Sequence, residues 1–200
     1  MNPQFWDNRY ATDDFVYGTE PNDFLRHCAN YIPDGPVLCL GEGEGRNAVY
    51  LATRGYNVTA LDQSAVGLAK AERLAAEHGV SITTVATNLE EYSIDPEAWS
   101  AIVSIFLHLP PFLRREVHAA AAAGLHSGGV FILEAYTPGQ VQHKTGGPVT
   151  NPEMLMSLDQ MHGDLIGLEM EIGREIERDV IEGKCHTGRA AVVQVMARRG

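Results

Sequence analysis

Apolar and polar positions alternate along the chain in blocks that are typical of strands and helices in turn. Five short, mostly apolar runs predict buried strands of a parallel sheet: Val37–Leu40, Val58–Leu61, Val80–Ala86, Ala101–Leu107 and Val130–Ala135. The segments between them predict helices at Arg46–Ala52, Ala65–His78 and Pro111–Leu125. Because strands alternate with helices, the pattern predicts an α/β fold with a mainly parallel sheet.

The two ends of the chain depart from this alternation. A short helix is predicted at Asp23–Tyr31, and another at Asn151–Met161. Two strand-like stretches, Leu165–Val180 and Ala190–Ala197, are separated by the turn residues Glu182–Lys184. They predict an antiparallel hairpin at the end of the chain.

The first predicted strand runs directly into a glycine-rich turn, Gly41-Glu42-Gly43-Glu44-Gly45, and the second ends on a carboxylate, Asp62. Glycine adopts positive φ angles without a Cβ clash and allows a ligand to approach the backbone. A carboxylate after the second strand can accept hydrogen bonds from both hydroxyls of a ribose. The order of strand, glycine turn, helix, strand and acid therefore predicts a site for a cofactor that contains adenosine.

The spacing of the glycines narrows the choice of cofactor. Dinucleotide folds usually show G-x-G-x-x-G, whereas the third glycine here comes one residue early. Glu42 and Glu44 flank the turn, and two carboxylates would repel a pyrophosphate but suit an ammonium or sulfonium charge. The turn therefore favours S-adenosylmethionine over NAD.

With these residues, the chain resembles the class I S-adenosylmethionine-dependent methyltransferases, and in particular the tellurite-resistance and thiopurine methyltransferase-like branch. The matching stretches are Leu40–Asn47, Leu61–Ser64, Thr87–Leu89, Phe5–Tyr10 and Tyr17–Asn22. The resemblance implies a Rossmann-like α/β fold with a seven-stranded, mostly parallel sheet, helices on both faces and a C-terminal antiparallel hairpin.

The domain organisation follows from the same resemblance, which covers nearly the whole chain. We expect one methyltransferase domain over residues 1–200. Residues 1–35 would form an N-terminal lid and helix, with the lid over Met1–Asn22, and residues 36–200 the cofactor-binding core.

The resemblance also implies S-adenosyl-L-methionine as the cofactor, with S-adenosyl-L-homocysteine as the product. Asp62 would bind the ribose with Gln63 beside it, Asn88 and Leu89 would flank the adenine, and Ser104–His108 would face the methyl donor. The full set of expected cofactor-binding residues is Gly41, Glu42, Gly43, Gly45, Asn47, Asp62, Gln63, Asn88, Leu89, Ser104 and Phe106.

One position departs from the family pattern. Many members carry an acid two residues before the first glycine, where this chain has Cys39. Glu42 is therefore a candidate partner for the methionine ammonium group, directly or through water.

Methyl transfer mainly requires an oriented nucleophile and exclusion of water, and some acceptors also need a base. The candidates for catalytic roles are His186, His108, Tyr17, Arg9 and Glu134. His108 follows the fourth strand, where a base can meet the acceptor; the alternative is a rim histidine that bonds to backbone. A histidine at the position of His186 recurs near the acceptor pocket of the tellurite-resistance branch; the alternative is an exposed turn residue.

Three other features have two interpretations each. Tyr17 and Trp6 either close over the cofactor or simply pack the N-terminal segment on the core. Thr145–Pro148 is either a flexible loop over the site or a plain connector. Cys185 is either a soft contact for a metal or a thiol, or an inert cysteine.

Composition restricts the partners. The formal net charge is −11, and such a surface repels a nucleic-acid backbone. Three cysteines, Cys28, Cys39 and Cys185, are scattered without disulfide or metal-ligand spacing, which fits a reducing cytoplasm. Ala101–Leu113, the longest apolar stretch, is too short to span a bilayer. We expect a cytoplasmic monomer or homodimer that binds a small molecule, without nucleic acid, membrane or metal.

Three functions remain open from the sequence. The first is a methyltransferase for a small acceptor, such as a thiol, a chalcogen oxyanion, a halide or a small amine. Methyltransferases of nucleobase amino groups or glutamine amides carry Asn/Asp-Pro-Pro-aromatic after the fourth strand, whereas this chain has Leu107-His108-Leu109-Pro110-Pro111. The difference counts against these two classes of acceptor. The second is a catalytically silent S-adenosylmethionine-binding protein that acts as a sensor or scaffold. The third is an NAD-dependent oxidoreductase, against which the glycine spacing counts.

Overall fold

The structure is a computed structural model that describes residues 3–143 and 145–200. Within these ranges, seven strands form one sheet, and they are β1 Pro36–Leu40, β2 Asn57–Asp62, β3 Thr83–Ala86, β4 Trp99–Ile105, β5 Leu125–Tyr136, β6 Leu168–Glu182 and β7 His186–Arg199. Their order is β3-β2-β1-β4-β5-β7-β6. β1 to β5 pair in parallel, whereas β7 pairs antiparallel with both β5 and β6. This confirms the mostly parallel sheet and the antiparallel C-terminal hairpin.

Six α-helices lie in the described residues, and they are α1 Pro3–Tyr10, α2 Asp23–Cys28, α3 Arg46–Thr53, α4 Ala65–Glu77, α5 Pro111–Gly124 and α6 Leu158–Asp164. Short 3-10 helices are formed by Ala29–Tyr31, Pro138–Gln142 and Pro152–Met154. Ser64 begins α4 by accepting a hydrogen bond from the backbone N–H of Gly67, which is the N-cap geometry typical of serine.

The sheet is covered on both faces, because successive residues of a strand point to opposite sides. Val37 and Cys39 of β1 pack in one apolar cluster with α2 and α3. Leu38 and Leu40 of the same strand pack in a second cluster with α5 and α6. Both faces of β1 are therefore buried, as the continuous apolar run predicts.

The predicted helix at Asn151–Met161 is wrong as a single element. Leu155 and Met156 are both buried and follow the 3-10 turn Pro152–Met154, and Leu155 is extended. The backbone N–H of Met156 donates to the carbonyl of Tyr136 at 2.9 Å. A capping box between Ser157 and Gln160 then begins α6, so the chain packs two apolar side chains before it turns into a helix.

The N-terminal segment, residues 3–18, lies across the carboxyl ends of the central strands. Lys70 of α4 holds it, since its ammonium group donates to the carbonyls of Thr12 at 3.0 Å and Asp14 at 2.7 Å. Met1 and Asn2 of the predicted lid lie outside the described residues. No helix in the described part of the chain is long and apolar enough to cross a membrane.

Candidate functional site

A cavity of about 740 Å³ opens at the carboxyl ends of β1, β2 and β4. One end of the cavity, here called the glycine-turn side, is lined by Gly41, Glu42, Leu61, Asp62, Gln63, Thr87, Asn88 and Leu89. The other end, the aromatic side, is lined by Phe5, Trp6, Arg9, Tyr17, Phe106, Gly146, Gly147, Cys185 and His186. The cavity thus lies where ligands bind in open α/β sheets.

The turn Gly41–Gly45 needs glycine for its shape and for its packing. All three glycines have left-handed φ angles, +61° at Gly41, +60° at Gly43 and +90° at Gly45. A Cβ on Gly43 would lie 2.6 Å from the hydroxyl of Tyr10, and one on Gly45 would lie 2.7 Å from the Cα of Ala71. Only Gly41 lines the cavity, so the other two glycines shape the turn against α1 and α4.

Asp62 ties the end of β2 to the glycine turn. Its Oδ2 accepts a hydrogen bond from the backbone N–H of Gly43 at 2.9 Å, and its Oδ1 accepts one from Ser64 at 2.8 Å. Burial raises the pKa of Asp62, whereas these backbone donors oppose the rise. The backbone N–H groups of Gly43, Ser64 and Gln63 occupy three of the roughly four acceptor sites of the carboxylate, so the residue can still accept a hydrogen bond from a ligand in the cavity.

Glu42 caps α3 from inside the turn. Its Oε1 accepts hydrogen bonds from the backbone N–H groups of Asn47 at 2.9 Å and Ala48 at 2.8 Å. Burial raises its pKa to about 7, against the lowering effect of Ala48, Arg46 and Asn47. The side chain of Asn47 is engaged as well, since its Oδ1 accepts the backbone N–H of Asn22 at 2.9 Å.

The second carboxylate of the turn, Glu44, has a different role from the one that the sequence suggests. It forms a buried ion pair with Lys70 and accepts the backbone N–H groups of Val16 at 2.8 Å and Tyr17 at 3.2 Å. Its charge is therefore neutralised, and it anchors the N-terminal segment. Glu42 and Asp62 remain as the acidic groups of the glycine-turn side.

The backbone at Phe106 is strained where β4 ends at the cavity. Its φ is +53°, which is uncommon for a residue other than glycine. Its N–H donates to the carbonyl of Glu134 at 2.7 Å. Outliers of this kind persist where the surrounding structure fixes them, often at functional sites.

His108 has both ring nitrogens bonded to backbone. The N–H of Tyr136 donates to Nε2 at 3.0 Å, so Nδ1 carries the proton and donates to the carbonyl of Phe106 at 3.0 Å. Burial and the nearby His186 lower its pKa to about 3. This geometry favours the interpretation of His108 as a rim histidine, because it leaves no ring nitrogen for an acceptor's proton.

His186 begins β7 and lies among aromatic rings. Its ring centroid is 4.6 Å from Tyr17, 4.8 Å from Phe106 and 5.5 Å from Tyr136. Its Nδ1 lies 3.9 Å from Glu182, which is too long for a hydrogen bond. Burial lowers its pKa, so the ring is neutral at physiological pH. It is a partly buried wall of the cavity and not an exposed turn residue.

Arg9 extends from α1 into the aromatic side. Its Nη1 donates to the hydroxyl of Tyr17 at 3.2 Å and lies 3.7 Å from the sulfur of Cys185. Its guanidinium carbon lies 5.1 Å from the ring centroid of Phe5 and 6.0 Å from that of Trp6. The aromatic rings thus hold a cation at the cavity wall.

Comparisons with known proteins agree with this geometry. Residues 37–129 match the methyltransferase domain family Methyltransf_25. The uncharacterized methyltransferase YodH of Bacillus subtilis (strain 168) is 35% identical over 72 residues. The matched stretch covers 36% of this chain and only 31% of that relative's length.

Solved structures share the fold over nearly the whole chain. TehB from Haemophilus influenzae has a TM-score of 0.73 at 18% identity. The match covers 99% of this chain and 67% of the TehB chain. A protein from echinomycin biosynthesis, where a disulfide bond is converted into a thioacetal group, has a TM-score of 0.80 at 18% identity, with 98% and 91% covered. Over residues 37–129 the chain is therefore similar to a methyltransferase domain. A third structure of this fold, geranyl diphosphate C-methyltransferase from Streptomyces coelicolor A3(2), was solved with S-adenosyl-L-homocysteine and scores 0.70 at 13% identity, with 99% and 96% covered.

The residues that line the cavity fit S-adenosylmethionine. Gly41 has no Cβ that would keep a ligand away from its backbone. Asp62 and Glu42 supply carboxylates beside it. Asn47, Gln63, Asn88 and Leu89 also line the cavity. No group of three His, Cys, Asp or Glu side chains suited to a metal ion occurs in the described residues.

Several expected site residues lie away from the cavity. Ser104 is buried in the interior of β4, beside Leu40 of β1, and the lining begins only at Ile105. Glu134, a candidate base, is fully buried in β5 and paired with Arg178 at 2.7 Å. Gly43 and Gly45 contribute to the turn and not to the lining.

A buried polar network beneath the aromatic side of the cavity was missed in the sequence analysis. Glu182 accepts from Arg46 at 2.6 Å and from the side-chain amide of Asn22 at 2.8 Å. Against burial, which would raise it, contacts with His186, Arg46 and Arg178 lower the pKa of Glu182 to about 2. Arg46 and Glu182 lie 136 positions apart in the chain, so no local pattern in the sequence could reveal this pair.

Proposed function

We propose that this chain transfers the methyl group of S-adenosylmethionine to a small-molecule acceptor. The observation that carries the proposal is that one cavity of about 740 Å³ extends from Gly41 and Asp62 to the aromatic rings around His186. A volume of this size is in the range of pockets for drug-sized ligands. The cavity therefore offers a wall for the cofactor and a separate wall for a second, small ligand.

The aromatic side is suited to a small acceptor because three segments enclose it. α1 contributes Trp6 and Arg9, the loop at residues 145–148 contributes Gly146 and Gly147, and the turn before β7 contributes Cys185. The loop is held in place, since Thr145 donates to the carbonyl of Arg189 at 2.6 Å. Walls of this kind exclude water from the reacting atoms.

The chemistry assigns distinct tasks to the residues. S-adenosylmethionine supplies an electrophilic methyl group on a sulfonium sulfur, whose bond breaks with the electron pair staying on sulfur as the acceptor's nucleophile bonds to carbon. His186 and Tyr17 would orient the acceptor. Because burial lowers the pKa of His186, its ring is neutral and can take up a proton that the acceptor releases.

Related proteins and the charge of the chain give further support. Geranyl diphosphate, the ligand of one structurally similar methyltransferase, is a small molecule. The net charge of −11 disfavours nucleic acid as acceptor. The scattered cysteines suit a cytoplasmic location, and we expect a monomer or homodimer.

Calorimetric titration with S-adenosylmethionine, S-adenosyl-L-homocysteine and NAD tests the cofactor half of the proposal. We expect micromolar binding of the first two and none of NAD. Asp62→Ala should weaken binding by about 1–3 kcal/mol, because it removes charge-assisted hydrogen bonds. Binding of NAD alone would instead support an oxidoreductase.

Incubation with cofactor that carries an isotopically labelled methyl group and a panel of small thiols, amines and acids tests the transfer half. We expect the label in an acceptor, and we expect His186→Ala to lower this transfer while leaving S-adenosyl-L-homocysteine affinity nearly intact. Tight cofactor binding without any labelled product across such panels would favour a silent binding protein that acts as a sensor or scaffold.

A further inference from the structure

The aromatic side of the cavity contains an arginine that is bonded to no carboxylate in the described part of the chain. Arg9 contacts the hydroxyl of Tyr17 and the sulfur of Cys185, and the groups that raise its pKa include no acid among the described residues. Its guanidinium keeps donors free, since it has five N–H groups in a planar fork. Such a fork matches a carboxylate or a similar anion.

The other charged groups that the structure describes in this region are already neutralised by partners. Glu44 is paired with Lys70, and Arg46 is paired with Glu182 at 2.6 Å. The side chains of these four residues are buried. His186 is neutral. Among the residues that the structure describes, Arg9 therefore determines the charge that a ligand meets on the aromatic side.

The walls next to Arg9 are flat rings. Trp6 and Tyr10 stack with centroids 5.7 Å apart at 23°. Tyr17, which receives the hydrogen bond from Arg9, lies 4.6 Å from His186, and His186 lies 4.8 Å from Phe106. Aromatic walls favour a planar apolar body that can stack or meet them edge-on.

Arg9 and the end of β4 lie at different places along this wall. The contacts run in order from Arg9 through Tyr17 and His186 to Phe106, whose backbone is strained at the rim of the sheet. A ligand that reaches both ends therefore has its anionic group one ring or more away from the atom that faces Phe106.

We propose that the acceptor is a small planar organic acid, whose anionic group pairs with Arg9 and whose nucleophilic atom lies beside His186 and Phe106. This inference rests on the proposed methyl transfer and specifies its substrate class. The anion serves recognition and is not the reacting atom.

Matched acids and amides test the inference. Protein saturated with S-adenosyl-L-homocysteine is titrated by calorimetry with the three isomeric hydroxybenzoates and with the corresponding hydroxybenzamides, which have the same shape without the charge. We expect at least one acid to bind about tenfold or more tightly than its amide, as a charge-assisted hydrogen bond gives. Higher salt should reduce this preference, because the site is partly open to solvent.

Two variants of Arg9 and a matched control complete the test. Arg9→Gln should remove the preference for the acid, and Arg9→Lys should keep part of it, with S-adenosyl-L-homocysteine affinity unchanged in both. Arg73→Gln removes another arginine that lies over an aromatic ring, 5.2 Å from Phe15, but outside the cavity lining, and should keep the full preference.

The outcomes separate this inference from the proposed function. Equal affinity for acids and amides in protein that binds S-adenosyl-L-homocysteine would overturn the acid class and leave methyl transfer standing. A preference that survives in Arg9→Gln would overturn the role of Arg9. Failure to bind S-adenosyl-L-homocysteine at all would overturn the proposed function itself, and the acid class with it.

Discussion

The backbone N–H of Tyr136 donates a hydrogen bond to Nε2 of His108 over 3.0 Å, and their rings stack with centroids 5.5 Å apart. His108 follows β4 and Tyr136 ends β5, so the contact joins two neighbouring strand ends. The carbonyl of Phe106 accepts from the other ring nitrogen. His108 therefore fixes the strained rim at Phe106, next to the proposed reaction site.

Loss of this bridge should destabilise the fold. His108→Ala leaves the N–H of Tyr136 buried without an acceptor, so we expect the free energy of unfolding to fall by about 1–3 kcal/mol. Guanidinium denaturation measures the change. His78→Ala, at an exposed helix end, serves as the control and should cost about 0.5 kcal/mol or less. Unchanged stability with lost methyl transfer would contradict the structural role and support a base.

The same histidine should make stability depend on pH. Its pKa is about 3 in the folded protein and about 6.5 in an unfolded chain. Between these values the unfolded state binds more protons, so stability is fully present above pH 6.5 and falls as the pH drops, by at most about 1.4 kcal/mol per pH unit. His108→Ala removes this contribution. We expect the stability difference between wild type and variant to shrink below pH 6; a difference that is constant down to pH 4 would contradict the lowered pKa.

The parts of the fold that follow from local physics could be predicted from the sequence. The glycine turn is an example, because Gly41, Gly43 and Gly45 must each adopt a positive φ. The strands could also be predicted, because a strand of a parallel sheet is buried on both faces and needs an apolar run. The helix predicted at Asn151–Met161 failed, because burial of Leu155 and Met156 depends on distant parts of the chain. The pairing of Glu44 with Lys70 could not be predicted either, since it arises only when α4 packs on the glycine turn.

Two glycines with nearly the same backbone angle separate conformational strain from steric clash. Gly45 has φ +90° and lies against Ala71, whereas Gly55 has φ +93° and open space where a Cβ would be. Gly55→Ala should cost about 1–2 kcal/mol from the left-handed conformation alone. Gly45→Ala should cost an additional ~1–3 kcal/mol for overpacking against α4. Thermal and denaturant unfolding of the two variants provide the comparison, and equal costs would contradict the close approach.

Glu42 should make cofactor affinity depend on pH. Its pKa is raised to about 7 by burial, so it is largely protonated at pH 6 and ionised at pH 8. If its carboxylate receives the methionine ammonium group, affinity for S-adenosyl-L-homocysteine should rise by up to about tenfold per pH unit below 7 and level off above it. Glu42→Gln keeps an acceptor for the N–H groups of Asn47 and Ala48. We expect it to match wild type at pH 6 and to bind about tenfold more weakly at pH 8.

Calorimetry at both pH values, with Asp34→Asn as a control on an exposed turn acid, checks this expectation. A flat pH profile in wild type would show that Glu42 does not pair with the ammonium group. A slope that persists in Glu42→Gln would assign the titration to another group, and Asp62, whose pKa is also raised, would be the next to test.

We expect the ion pair between Lys70 and Glu44 to contribute strongly to the free energy of unfolding, because it holds the N-terminal segment in place. Lys70→Met leaves Glu44 as a buried charge without its cation, and we expect a loss of about 3–5 kcal/mol. Arg73→Met, one turn of the helix away and exposed, should cost much less. The double variant Lys70→Met/Glu44→Gln should recover part of the loss, since neither charge remains. Denaturant unfolding of the four-protein cycle measures the coupling, and hydrogen exchange at Val16 and Tyr17 reports whether the segment loosens. Strictly additive costs, with unchanged exchange at these two amides, would show that the pair does not anchor the wall that carries Arg9 and Tyr17.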